Sequence, residues 1–280
     1  MLRFILLGLV FFPVASTVSA QTPASFKYKI GDEYQFKIEQ LTQIEDTNID
    51  ENTKKPVTNK LQSKLSVLKH WKVRDVLKDG SGVMELSISR MRLERSNGKD
   101  APTVFDSEKP DPANPSNEAE FKKFINQTLA VVVVNPKGIV TEVKETKQTS
   151  AKGFQIDLPF KIMLPEKEMA MGATWKRDFE IELPPPAGTG EKYKASQKCE
   201  YTGDANQMQK IHLSTSIADF PTGIDAIPLL KYLAEGDVYF HNQSGRYIGC
   251  RLVGRKIVEN YQGEGTRYAY ESSLSEDLAK

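Results

Sequence analysis

The sequence predicts a mainly β protein with a minor α part: two tandem β-β-β-α-β-β repeats forming curved antiparallel sheets, each with one short helix, the sheets either packing on their own helices or joining into one longer sheet. Three observations predict it. Apolar residues recur at every second position over much of the chain, which places them on one face of a strand. Tight-turn signatures, among them Asp79-Gly80, Asn135-x-x-Gly138 and Asn242-x-x-Gly245, separate those runs. Similar signatures then return in the same order in the second half.

Residues 1–20 read as a secretory signal. Arg3 is the only charge before Lys27, Phe4 to Val14 form a short apolar core, and Val18-Ser19-Ala20 suits cleavage after Ala20. The run is short for a membrane span and contains Pro13. An extracytoplasmic chain, periplasmic or secreted, with no transmembrane segment after cleavage is expected. Cleavage would remove Arg3 and no acid, taking the net charge from +1 to zero. That balance argues against a protein built to neutralise nucleic-acid phosphates.

The first repeat is placed at 21–150. Gly31, Tyr34, Phe36 and Ile38 open a strand. Leu65, Val67, Trp71 and Val73 alternate in the next, the Asp79-Gly80 turn follows, and Met84, Leu86 and Ile88 alternate again. The apolar phase shifts at Met91 and Leu93, which predicts a bulge near Ser89-Arg90. Asn117 with Glu120 resembles a capping box, and Phe121, Phe124, Ile125 and Leu129 fall on one face of the helix it would open. A strand through Val133-Val134 then closes on the Asn135–Gly138 turn. Two polar stretches, 45–60 and 96–116, are expected to be long surface loops; the second carries Pro102, Pro110, Pro112 and Pro115.

The second repeat is placed at 151–280. Gly172, Trp175, Phe179 and Ile181 repeat the opening pattern. Tyr193, Ala195, Cys199 and Tyr201 alternate, a turn is expected at Thr202-Gly203-Asp204, and Ile211, Leu213 and Ile217 follow. Asp225 is read as a helix cap, with Pro228 in the first turn and Ile227, Leu230 and Leu233 inside. The Asn242–Gly245 turn and a Gly263-Glu264-Gly265 hairpin lead to a last strand over Thr266–Leu274.

Chemistry is sparse. His70, His212 and His241 lack the close ligand spacing of a metal site. There is no G-x-S-x-G elbow, no S-x-x-K, and no cysteine beside a histidine. No catalytic residue, metal or cofactor is assigned. In an oxidising compartment Cys199 and Cys250 are candidates for a disulfide between strands; the alternative is two separate buried thiols.

Three segments carry a resemblance. Phe26–Phe36 (FKYKIGDEYQF), Leu164–Trp175 (LPEKEMAMGATW) and Asp237–Arg246 (DVYFHNQSGR) resemble an uncharacterised family of secreted bacterial β-rich proteins, a domain of unknown function. The resemblance implies no activity for any residue. The geometry is also similar to the half-barrels of bacterial lipoprotein carriers, whose helices cap an apolar concavity. The expectation is a non-enzymatic binding or structural module with a cell-envelope or apolar small-molecule partner. The alternative is a carrier of lipid or another apolar ligand, with Phe121, Phe124, Ile125, Leu230 and Leu233 facing the concavity. A hydrolase is the third class considered.

Overall fold

The computed structural model describes residues 23–98, 100–110, 119, 121–147, 151–205 and 207–279, without the side chains of residues 151, 152 and 155. The expected signal at 1–20 and the Asn117–Glu120 cap lie outside the described residues. In chain order the strands are β1 (Glu33–Ile49), β2 (Pro56–Val76), β3 (Gly82–Ser96), β4 (Thr103–Asp106), β5 (Thr128–Val134), β6 (Val140–Thr146), β7 (Thr174–Leu183), β8 (Glu191–Ala205), β9 (Met208–Ile217), β10 (Glu235–His241), β11 (Arg246–Glu259) and β12 (Arg267–Leu278). Helix α1 (Ala151–Ile156) follows β6, and a 3-10 helix (Gly223–Tyr232) follows β9.

All twelve strands belong to one antiparallel sheet, ordered β6-β5-β3-β2-β1-β12-β11-β10-β9-β8-β7 with β4 added on β3. The mainly β antiparallel class is therefore what the chain adopts. The two halves do not make two sheets. They join through β1 and β12, which pair from Phe36↔Leu278 to Thr47↔Arg267. Strand order alone does not make the halves copies of one another.

The sheet curves strongly, and its core shows why. Val132 of β5 and Phe240 of β10 share one buried cluster, although six strand-to-strand steps separate β5 from β10. Laid flat, those steps would span about 29 Å at ~4.8 Å each. The inner face thus closes on itself and buries Trp71, Phe36, Met84, Ile211, Phe240 and Tyr247.

Two irregular segments fill that inner face. Residues 157–164 contribute the buried Leu158, Phe160, Ile162 and Leu164. The Phe160 ring lies 4.9 Å from Phe26, 5.8 Å from Tyr247, 6.2 Å from Trp71, 6.3 Å from Phe36 and 6.5 Å from Tyr34, centroid to centroid. The second segment, around Ala24 and Phe26, ties the two Asn-x-x-Gly turns together. Phe26 N donates to Pro136 O (2.8 Å) and Lys27 N donates to Gly245 O (3.1 Å). Both turns need glycine. Gly138 has φ +85° and a Cβ there would sit 2.8 Å from Ile162 O; Gly245 has φ +63° and would meet Ser25 O at 2.7 Å.

Helix α1 packs against both β6 and β7, the two outermost strands. It bridges the gap between the open edges, where unpaired backbone groups need cover.

Several local expectations change. The stretch 45–60 is not a loop: β1 runs to Ile49, β2 begins at Pro56, and only the tip between them turns. Its polarity reflects a ribbon reaching past the core. The stretch 96–116 contains β4, paired with β3; residues 99 and 111–116 lie outside the described residues. The helix expected over Phe121–Leu129 ends after Lys122. Asn126 takes φ +55° and its amide donates to Ile88 O at 2.7 Å, which turns the chain into β5, where Leu129 lies. The second helix is 3-10 rather than α, with Thr222 at the cap position and Asp225 in its first turn. No turn forms at Thr202–Asp204; β8 continues to Ala205 with a register shift between Tyr201 and Gly203. The bulge near Ser89-Arg90 is present: Leu68 pairs with Arg90 and Lys69 with Ile88, leaving Ser89 extra.

Phe160→Ala is expected to lower the unfolding free energy by about 3–5 kcal/mol in urea titration. A loss under about 1 kcal/mol would contradict its place at the centre of the core.

Candidate functional site

Strand alternation sends every second side chain inward, and some of those are charged. In β2 the inward series Leu65, Val67, Lys69, Trp71, Val73 includes a lysine. In β12 Glu276 stands between the inward Leu274 and Leu278. In β7 Arg177 stands between Trp175 and Phe179. The fold brings these three positions toward residues 157–161 on the inner face.

Lys69 and Glu276 form an ion pair across β1, with side chains 13% and 0% exposed. Tyr247 Oη donates to Glu276 Oε2 at 3.2 Å, and Lys69 Nζ lies 5.6 Å from the Phe36 ring centre. Burial, followed by the Glu276 carboxylate, pushes the Tyr247 hydroxyl well above its ordinary range, so it stays a neutral donor. A buried pair of this kind contributes little net stability against an apolar replacement, but losing one partner leaves a costly lone charge.

Beside this pair the inner face is not filled. A cavity of about 330 Å³ lies between residues 156–161, strands β7–β9 and the end of the 3-10 helix. Leu158, Phe179, Leu213, Leu252 and Leu274 form apolar wall. Gln40, Asp157, Lys161, Arg177, Gln197 and Lys231 add polar groups. The Asp157 side chain faces the open space and keeps 69% exposure. Its carboxylate pairs with Lys161 one helical turn on. Burial pushes the Asp157 carboxyl up, but Lys161, Lys69 and Arg177 outweigh it and hold the group below its ordinary value. Burial pushes Lys161 down, and Asp157 and Glu276 outweigh that, so its ammonium is held charged. Burial lowers Arg177 to about 10; its Nη2 donates to Ile156 O at 2.9 Å, and its guanidinium stacks 4.6 Å from the Phe179 ring.

A larger groove, about 530 Å³, opens on the outer face over β3, β2, β1, β12 and β11. Its rim charges are matched within the sheet: Lys64–Glu94 at 3.3 Å, Arg92–Asp106 at 3.0 Å and Arg251–Asp277 at 2.6 Å. Such exposed pairs leave little unbalanced field. The inner cavity, set on the concave face beside the buried Lys69–Glu276 pair, is the better candidate site.

The residues expected to face a ligand do not gather there. Phe121 packs on Leu93 and Phe105, with ring centres 5.1 Å apart between the two phenylalanines, and Phe124 leans on the same cluster. Ile125 bridges Ile88. Leu230 is buried with Ala226, Val258 and Tyr261, and Leu233 covers the neighbouring clusters. Phe121, Phe124, Leu230 and Leu233 act as satellite core, and none of the five lines the inner cavity. Lys231 and Tyr232, next in sequence to Leu230, do.

Cys199 and Cys250 are both free. They lie on β8 and β11, with β9 and β10 between. No strand pairing sets them side by side, as a bridge between neighbouring strands would require. Burial raises Cys199 to about 12 and Cys250 to about 11. The histidines are dispersed: His70 Nε2 is 3.5 Å from Glu33, His212 Nδ1 is 3.2 Å from Asp237, and His241 Nδ1 is 2.7 Å from Ser244.

No family model matches the chain. A stretch of 123 residues is 32% identical to a serine–tRNA ligase of Phenylobacterium zucineum (strain HLK1), covering 43% of this chain and 24% of that protein. The chain thus spans about a quarter of the length of that relative. Among solved structures, lipovitellin, in a structure of its lipid–protein interactions, aligns over 91% of this chain and 26% of its own, with a TM-score of 0.42 and 7% identity. DynF, from the dynemicin biosynthesis pathway of Micromonospora chersina, aligns over 97% of this chain and 92% of its own, with a TM-score of 0.17 and 8% identity.

Unreduced native protein is expected to leave both thiols unreactive to Ellman's reagent, and two thiols per chain to react once urea is added. Absence of reactive thiols in urea would reinstate the bridge.

Proposed function

We propose that this chain is an extracytoplasmic, non-enzymatic binding module that holds a small ligand with an apolar body in the cavity on the inner face of its sheet. One observation carries the proposal: the cavity of about 330 Å³ that remains between residues 156–161 and the sheet, where Leu158, Phe179, Leu213, Leu252 and Leu274 share the wall with polar and charged side chains. Its volume lies near the lower end of small-molecule sites. The wall supports an apolar ligand because removing apolar surface from water is the main driving force available there. The extracytoplasmic assignment draws on residues 1–20 and their signal-like pattern.

The test uses N-phenyl-1-naphthylamine, a neutral dye that brightens out of water. Saturable enhancement at one equivalent is expected. Thr215→Phe, which places a ring against the cavity wall, should abolish it with the melting temperature retained. No saturable enhancement, or enhancement that Thr215→Phe leaves intact, would overturn the proposal.

A further inference from the structure

The inner face carries a pattern that runs across the strands. Leu93 on β3, Leu65 on β2, Gln40 on β1, Leu274 on β12 and Leu252 on β11 stand opposite one another in a single row. Two leucines thus lie on either side of one glutamine. The next row holds Ser63, Thr42 and Ser272, so hydroxyls stand beside the amide. Leu65, Gln40 and Leu274 are only half-buried, which leaves the middle of the leucine row open to a ligand.

Open space lies on both sides of the glutamine. The inner cavity takes Gln40, Leu274 and Leu252 into its wall. A second hollow, of about 220 Å³, takes Gln40, Leu65 and Leu93, together with Met91 and Phe121. Gln40 is therefore a wall of both. An amide among leucines is costly to bring out of water unless its hydrogen bonds are made. Here they are made loosely. Gln40 Nε2 donates to Thr42 Oγ1 and to Ser272 Oγ at 3.4 Å each, and the two hydroxyls lie 3.3 Å apart. All three separations exceed the ordinary range, so these groups can turn to a ligand without giving up a strong bond.

Resting on the binding proposal above, we infer that the ligand has two apolar arms joined by an uncharged, oxygen-bearing link, the arrangement of a diacylglycerol. One arm lies along Leu274 and Leu252 in the inner cavity. The other lies along Leu65 and Leu93 in the second hollow, toward Phe121. Carbonyl oxygens of the link accept from the Gln40 amide and the Thr42 and Ser272 hydroxyls. The link is uncharged because the side chains at the junction are neutral, and an ion there would lose water without gaining a partner. Each arm gains by leaving water against leucine.

The experiment displaces N-phenyl-1-naphthylamine from the purified protein with 1,2-dihexanoylglycerol or with 1-dodecanoylglycerol, which carry the same number of carbons in two arms or in one. The two-armed compound is expected to act at a concentration at least about ten-fold lower, the worth of one or two hydrogen bonds. Ser63→Phe, which places a ring in the second hollow, and Gln40→Leu, which removes the amide, should each bring the two compounds to within about two-fold of one another. Reading the ratio within one protein cancels any change in the dye's own affinity. Equal displacement from the unaltered protein, a preference for the single arm, or a two-arm preference that both variants keep would overturn the two-armed ligand while leaving the cavity as a binding site. Dye that neither compound displaces would also overturn it. A protein that never binds the dye fails the binding proposal itself.

Discussion

The curvature of the sheet depends on one aromatic contact set. A single antiparallel sheet of this width is under no obligation to roll, and its right-handed twist alone gives an open, propeller-like surface. Here Phe160 sits where residues 157–164 cross the inner face and touches rings from β1, β2, β11 and the arm around Phe26. Those rings come from both halves of the chain. Burying them together gains free energy only if the sheet bends around Phe160. The cavity follows from the same placement, because the segment that brings in Phe160 also brings Asp157 and Lys161 and leaves space beside them.

Polar groups on the inner face add a second constraint. Lys69 on β2 and Glu276 on β12 meet across β1, at the seam between the halves. Shifting β12 by one residue against β1 would turn Glu276 outward and leave Lys69 buried alone, at a cost of several kcal/mol. The pair thus disfavours slipped registers at a strand junction that no hairpin fixes. The arm from Ala24 to Tyr28 performs a related task with backbone bonds, fastening the Asn135–Gly138 and Asn242–Gly245 turns to each other.

Much of this was legible in the sequence and some was not, for identifiable reasons. Alternation placed most strands, since a half-buried strand must alternate, and the phase slip at Met91 located the Ser89 bulge. The Asn-x-x-Gly turns were readable because positive φ selects glycine. The polar 45–60 ribbon misled because both of its faces meet water, so no alternation marks it. Asn126 was invisible as a helix breaker because its left-handed conformation is held by a tertiary bond to Ile88. The site left a signal that could have been used: Lys69, Arg177 and Glu276 occupy inward positions in strands that are otherwise apolar there. A charge in the buried phase is costly unless something answers it; Lys69 and Glu276 answer each other, and Arg177 lines the cavity. The cavity itself was not legible, since it depends on how residues 157–164 cross the sheet.

Amide hydrogen exchange tests most directly whether this crossing segment holds the sheet in its curve. Leu164 N donates to Lys137 O at 2.9 Å, which locks the segment to the first half. If the segment is integral, the Leu164 amide exchanges with the same opening free energy as the central amides of β1 and β12. Exchange of Leu164 at loop rates, with β1 and β12 still fully protected, would contradict the account and show a sheet that curves without it.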